Sequence, residues 1–306
     1  EAAVQTAPEM SGGQQVQPGM LLTERKPHEL AIVFLDIGQG DAIFIQSPEQ
    51  KNMLIDTGEG SNPDYEYARK VDAANKLILP FLASNKIEKL DYLIGTHPHS
   101  DHIGAANDIL ENIPVDETWI PGADHPSTSK EDLLNAIEKT GVPLKVSDEA
   151  GGTLKIGREI DLGAGVSAWV LHMDPHATDD INNSSIVILI YYGENSILLT
   201  GDAHGEAETK MIEKWGDQLN VDVLKVSHHG SRTSTSIPWV EFTRPKHSVF
   251  QVGSYNTFGH PTDEVVNRLK EVGSEIHRTD EDGTIFMFLD GKDIRVLNRR
   301  DLGVYK

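Results

Sequence analysis

The run Thr96-His97-Pro98-His99-Ser100-Asp101-His102 packs three of the thirteen histidines and one aspartate into six positions, directly after the apolar stretch LDYLIG (90–95). In a loop, residues two apart converge on one ion, and an Asp-His step at the start of a following helix faces a second. Imidazole supplies neutral nitrogen and carboxylate supplies hard oxygen, a mixture that suits Zn²⁺ and also accepts Mn²⁺ or Fe. Working outward, LLTGD (198–202) ends an apolar run with Asp202, a carboxylate able to bridge two ions. Ser227-His228-His229-Gly230-Ser231 again sets histidines after an apolar strand, one of the pair as a ligand and the other as a supporting or substrate-contacting group.

Composition narrows the chemistry around these residues. The 306-residue chain contains no cysteine, which excludes disulfides, thiolate nucleophiles and thiolate metal sites, so any metal is held by nitrogen and oxygen. With 27 Lys+Arg against 48 Asp+Glu the net charge is −21, unlike a surface built to bind nucleic acid broadly through counterion release. A small site for a phosphorylated group remains compatible with that charge. No run of 18 or more apolar residues occurs, so no membrane span is expected.

Glu1–Lys26, rich in Gln, Gly, Pro and Ala, reads as a flexible segment ahead of a single domain over 27–306. The chain begins with Glu, so a trimmed N-terminus is expected, with either a removed secretion signal or an arbitrary boundary upstream. An extracellular or cell-surface location is expected, the cytoplasm being the alternative. From Glu29 the chain becomes a meander of strands, ELAIVFLD, DAIFIQS and NMLID. Next come a helix from Tyr65 to Leu79 ended by Pro80, a strand Leu90–Thr96, and helices Ile103–Asn112 and Ser129–Thr140. The second half has strands at Thr153–Asp161, Gly165–His172, Ser184–Tyr192, Ser196–Thr200, Val221–Ser227 and His247–Val252. It also has helices at Glu206–Trp215 and Thr262–Val272, and closing strands at Gly283–Leu289 and Asp293–Leu297. MLIDTGEG (53–60) and ILLTGDAHG (197–205) echo one another, each followed one strand later by a histidine cluster. The echo suggests two related β/α halves facing each other.

The order Asp56, His97-x-His99-x-Asp101-His102, Asp202, His228 resembles the metallo-β-lactamase superfamily of metal-dependent hydrolases over nearly all of residues 29 to 300. The pieces LDIGQGDAIFI, LIDTG, LLTGD, LKVSHHGS, VGSYNTFGHP and HRTDEDGTIFM are similar to the hydrolase domain of ComEC-type competence proteins and to phosphorylcholine esterases. The resemblance implies an α/β (α+β) four-layer αββα sandwich with two divalent metal ions, Zn or Mn, at one sheet edge. It implies His97 and His99 on the first ion, Asp101, His102 and His228 on the second, and Asp202 between them. Asp56 is expected to hold the metal loop, and Asn183 stands where many superfamily members carry a further histidine. His172 and His176 are alternatives for that ligand, each more simply read as a strand-end or surface histidine.

A water held between two divalent ions becomes a hydroxide nucleophile near neutral pH, so no side-chain nucleophile is required. Asp101 is expected to orient it, while His229 and His260 contact the oxyanion or protonate the leaving group. Ser231, Arg232 and Asn256 are expected to touch substrate, Arg232 as a phosphate cation. The leading expectation is a phosphoester hydrolase, acting on a small phosphorylated substrate or a short nucleic-acid segment, with no obligate protein partner. Hydrolysis of lactam, lactone or thioester carbonyls is the alternative, and a non-catalytic metal-binding module the second.

Overall fold

The computed structural model describes residues 22–61, 72–147, 153–177, 179–254 and 256–298. Fifteen strands lie in two sheets among these residues. The first contains β1 (Leu30–Phe34), β2 (Ile43–Gln46), β3 (Asn52–Ile55), β4 (Leu90–Ile94), β5 (Val115–Ile120), β6 (Leu144–Val146), β14 (Ile285–Leu289) and β15 (Ile294–Leu297). The second contains β7 (Glu159–Ile160), β8 (Val166–His172), β9 (Val187–Tyr192), β10 (Asn195–Leu199), β11 (Val223–Lys225), β12 (His247–Phe250) and β13 (Glu275–Arg278). Their orders are 15-14-1-2-3-4-5-6 and 13-12-11-10-9-8-7.

Strand alternation sorts apolar side chains into three layers, because successive residues of a strand point to opposite faces. Leu30, Ile32 and Phe34 of β1 join Ile188, Ile190, Ile197 and Val249 between the sheets. Ala31 and Val33 face the other way, onto Ile78, Phe81 and Ile109 of the helical segments covering the first sheet. Val187 and Leu189 likewise pack against Ala207, Met211 and Trp239 outside the second sheet. Helices therefore cover both outer faces, giving the expected αββα sandwich.

The echo between the halves has a structural counterpart. β3 pairs antiparallel with β2 and parallel with β4, and β10 pairs antiparallel with β9 and parallel with β11. Each repeated strand thus sits where its sheet changes from antiparallel to parallel. Asp56 and Asp202 follow β3 and β10, and the histidine clusters follow β4 and β11, so all four polar segments leave carboxyl ends of central strands.

Several local expectations are corrected. Leu22 is buried in the core under the outer helices, and Arg25 Nη1 donates to Glu29 O at 2.8 Å, so the ordered fold includes part of the segment assigned to a flexible lead-in. The rest of that segment lies outside the described residues, as do residues 65–71 of the helix expected before Pro80. Pro80 sits in the first turn of the helix Leu79–Ser84, where its missing N–H costs no intrahelical bond. A wide π turn, Ala74–Ile78, precedes it. The strand expected over Thr153–Asp161 shrinks to Glu159–Ile160, because Gly157, at φ 86°, makes a turn. Strands β5, β6 and β13 and the helix Ile237–Thr243 add to the expected elements. β5 and β13 (VDETWI, EIHR) mix charged and apolar residues without a clean period, which hides them from patterning.

Candidate metal centre

Loops at the ends of β3, β4, β10 and β11 bring the aspartates and histidines together. His97 is fully buried, with Nδ1 3.2 Å from Thr96 Oγ1 and 3.4 Å from Ser185 Oγ. This anchoring turns its Nε2 to 2.9 Å from His99 Nδ1, so the residues two apart in the loop converge. His102 Nδ1 lies 2.8 Å from Asp56 Oδ2, leaving its Nε2 to face the centre. Asp56 also accepts the Thr96 N–H and hydroxyl, each at 2.7 Å. One buried carboxylate thus contacts both the loop and the imidazole. The Asp56 φ of 57° is in the left-handed region, which Asp adopts more readily than most non-glycine residues.

Asp202 Oδ2 is the hub. It lies 3.2 Å from His102 Nε2, 3.5 Å from His229 Nε2, and 3.9 Å from the Nε2 atoms of both His97 and His228. Donor atoms of His97, His102 and Asp202 form one compact group, and those of Asp101, His102 and His229 a second. Asp101 Oδ2 is 3.4 Å from His229 Nε2.

From the sequence, His228 is expected beside Asp101 and His102, with His229 toward substrate; the structure exchanges their places. Both residues are left-handed, at φ 49° and 53°, and this tight turn sends their rings in different directions. His229 is buried, with Nδ1 2.8 Å from Gln251 O and Nε2 facing the aspartates. His228 is a quarter exposed, stacks on His204 at 5.1 Å between ring centroids, and lies 5.7 Å from the ring of His260. Gly230 completes the turn: at φ 82°, a Cβ there would stand 2.6 Å from Pro261 Cβ.

The remaining expected residues frame the centre. Asn183 accepts the His204 N–H through Oδ1 at 3.0 Å, bracing the loop after Asp202. His172 places Nε2 3.1 Å from the Asn183 carbonyl, and neither it nor His176 joins the two donor groups. Asn256, expected to touch substrate, instead clasps its own loop: Nδ2 donates to Gly253 O and His260 O, and Oδ1 accepts the His260 N–H. Ser231 is buried with its hydroxyl 3.0 Å from that of Thr233. Arg232 is exposed and forms no ion pair with a described residue, and His260 is partly exposed, stacked on Phe258.

Sequence reasoning missed Asp41, Lys225 and His204. Lys225, fully buried, makes an ion pair with Asp41, donates to Gly201 O at 3.1 Å and lies 3.7 Å from Asp202 Oδ1. The available signal was a lysine inside the apolar strand VLKV, since a buried ammonium requires a counter-charge. Asp41 reaches the centre because Gly40 passes against the Asp101 carbonyl, where a Cβ would lie 2.2 Å from the oxygen. His204 is held by Asp202 O at 2.9 Å and Asp180 Oδ2 at 2.9 Å.

Burial opposes ionisation throughout, and mutual charge decides the outcome. Burial raises Asp202, but His102, His229 and Lys225 together hold it well below the usual carboxylate range. Burial lowers His229, yet Asp202, Asp101 and Asp41 push it up to about 10, and His102 is likewise raised. His97 stays neutral through burial and the neighbouring His102, and burial brings His228 down to about 4. In the metal-free protein the stabilisation from charged His229 is complete below its unfolded value near 6.5 and is lost as pH rises through about 10. A metal binding His102 and His229 must displace their protons. Binding at pH 7 is therefore expected to release about two protons per chain and to tighten as pH rises. Calorimetry in buffers of different ionisation enthalpy checks this, and heats independent of the buffer would contradict it.

The residues fit a metal pair. His102 Nε2 and His229 Nε2 are buried without a hydrogen-bond partner and both face Asp202 Oδ2, converging donors that a cation would satisfy. Asp56→Asn is expected to weaken metal binding about 10–100-fold while leaving the fold intact, since it loosens the His102 ring. Metal titration followed by circular dichroism measures both effects.

The sequence model of the metallo-beta-lactamase superfamily matches residues 35–253. The chain is 34% identical over 258 residues to ComE operon protein 3 of Bacillus subtilis (strain 168), covering 82% of this chain and 32% of that protein. It is 31% identical over 251 residues to recombination protein 2 of Haemophilus influenzae, covering 82% and 28%. The chain thus spans about a third of the length of these curated relatives. CmlA, a diiron β-hydroxylase from Streptomyces venezuelae, superposes with a TM-score of 0.52 at 17% identity, over 89% of this chain and 55% of that one, a likeness of fold alone. By sequence match and architecture together, the chain belongs to the metallo-beta-lactamase superfamily, with relatives among the ComEC-like competence proteins.

Proposed function

We propose that the protein is a metal-dependent phosphoester hydrolase, with a nucleic-acid strand or another phosphodiester as substrate. The observation that carries this reading is the gathering of four histidine Nε2 atoms within 3.9 Å of Asp202 Oδ2, next to an exposed loop bearing Arg232. His97, His99 and Asp202 would hold one ion and Asp101, His102, His229 and Asp202 the other, with Zn²⁺ and Mn²⁺ matching the donors. Bound there, the ions would supply a nucleophilic hydroxide at neutral pH and neutralise charge on phosphoryl oxygens.

The chain's own groups do the rest. His228 and His260, both held below the usual histidine value mainly by burial, are neutral at pH 7 and offer N–H donors to substrate oxygens. Arg232 supplies an exposed cation for a phosphate. Asp56, Asn183 and Asn256 hold the loops that aim these groups. Similarity to recombination protein 2 of Haemophilus influenzae favours a nucleic-acid strand among the phosphodiesters. The net charge of −21 restricts that contact to a few nucleotides at the site. The cysteine-free donor set suits an oxidising, extracellular or cell-surface setting.

Incubation with Mn²⁺ or Zn²⁺ and bis(p-nitrophenyl) phosphate, phosphorylcholine esters or single-stranded DNA oligonucleotides is expected to yield hydrolysis of at least one of them. Turnover of nitrocefin or an acyl-homoserine lactone, with all three phosphoesters untouched, would overturn the reading.

A further inference from the structure

Among the described residues, metal-binding donors that include histidine also converge away from the Asp202 centre. His247 opens β12, and Glu275 and His277 are two apart on β13, the edge strand of the second sheet. The strands pair in parallel with His247 opposite Glu275, so all three side chains project from one face. His247 Nδ1 lies 3.1 Å from His277 Nε2 and 3.4 Å from Glu275 Oε2, and one donor atom from each residue falls within 4.8 Å of the others.

We propose that His247, Glu275 and His277 form a separate transition-metal site, of the Zn²⁺ class, that clasps the edge strand β13 to β12. Tetrahedral ligands at Zn–N and Zn–O distances of 2.0–2.1 Å stand about 3.3 Å apart, so the closest donor spacings match two edges of such a site. Two imidazoles and one carboxylate leave a position for water and favour Zn²⁺, Ni²⁺ or Cu²⁺ over the oxygen-seeking Mg²⁺ and Ca²⁺. Burial holds both histidines below their ordinary value, in the neutral form that binds metal. The nearby cation Lys246 is already paired with Asp222 at 2.7 Å, and Glu275, with its side chain two-thirds exposed, gives an ion a path in from solvent.

The clasp has a route to the catalytic face. At the far end of β13, Thr279 accepts the Val252 N–H at 2.8 Å and donates to Val252 O at 3.1 Å, and Ser254 Oγ donates to Asp280 O. These bonds support the start of the loop that carries Asn256 and His260.

The test compares the wild-type chain with His247→Gln/Glu275→Gln, both stripped with chelator, reloaded with Zn²⁺, desalted and analysed by mass spectrometry for zinc per chain. The wild type is expected to retain one more ion than the double variant, and its Zn²⁺-induced rise in Tm is expected to be larger. Glu275→Gln alone, at an exposed position, is expected to keep the fold and weaken the extra ion about tenfold in equilibrium dialysis. Equal stoichiometry and equal Tm shifts would overturn the site and leave the histidine pair as a simple hydrogen bond. No arm uses phosphoester turnover, so the outcome is independent of the proposed activity.

Discussion

Asp202→Ala is expected to lose bound metal and hydrolytic activity together, with kcat/KM falling at least about 10³-fold, the scale seen when one member of a catalytic unit is removed. Asp202 Oδ2 sits among the Nε2 atoms of His97, His102, His228 and His229, so it is the oxygen best placed to be shared by two ions. Its removal also leaves His102, His229 and Lys225 short of a counter-charge in a buried space. Part of the effect is therefore electrostatic, and Asp202→Asn, which keeps the shape, separates charge from packing. Metal content by mass spectrometry alongside turnover of bis(p-nitrophenyl) phosphate provides the check. A fully metal-loaded Asp202→Ala protein would remove Asp202 from the shared position.

The second large effect lies beneath the metal centre. Lys225→Met is expected to lower the unfolding free energy of the metal-free protein by about 3 kcal/mol, because it removes the nearest counter-charge from the buried carboxylate of Asp41 and leaves it only His229 and His102. That is a large share of the 5–15 kcal/mol stability usual for a folded protein. Burial alone would raise Asp41, and Lys225 is the main influence drawing it below its ordinary value. Adding Asp41→Asn to Lys225→Met is expected to recover much of the loss, since the double variant buries no lone charge. Urea unfolding of the two single variants and the double variant forms the cycle. Single variants within about 1 kcal/mol of wild type would show that the pair is incidental to stability.

These two predictions differ in how much of their basis can be read from the chain. The Asp202 prediction rests on spacing: HxHxDH after one strand and TGD after another point to shared ligands without coordinates. The Lys225 prediction needs the fold, because Asp41 and Lys225 are 184 positions apart and meet only when the two sheets face each other. Asn256 shows the opposite failure. Its place in VGSYNTFGHP suggests a substrate contact, but its amide is consumed by the backbone of its own loop, where turn residues commonly satisfy themselves.

By itself the sequence determined most of the strands and helices and the donor types at the centre, and its motifs carried the resemblance that implied the sandwich. Strand period, turn residues and histidine spacing are local properties, carried by a few consecutive residues whatever lies opposite. Tertiary structure alone decided which of two adjacent histidines faces the aspartates, what neutralises the lysine inside β11, and where a second histidine cluster forms across β12 and β13. Those outcomes depend on backbone twist at His228 and His229 and on strand register, which arise between distant segments and leave no period in the chain.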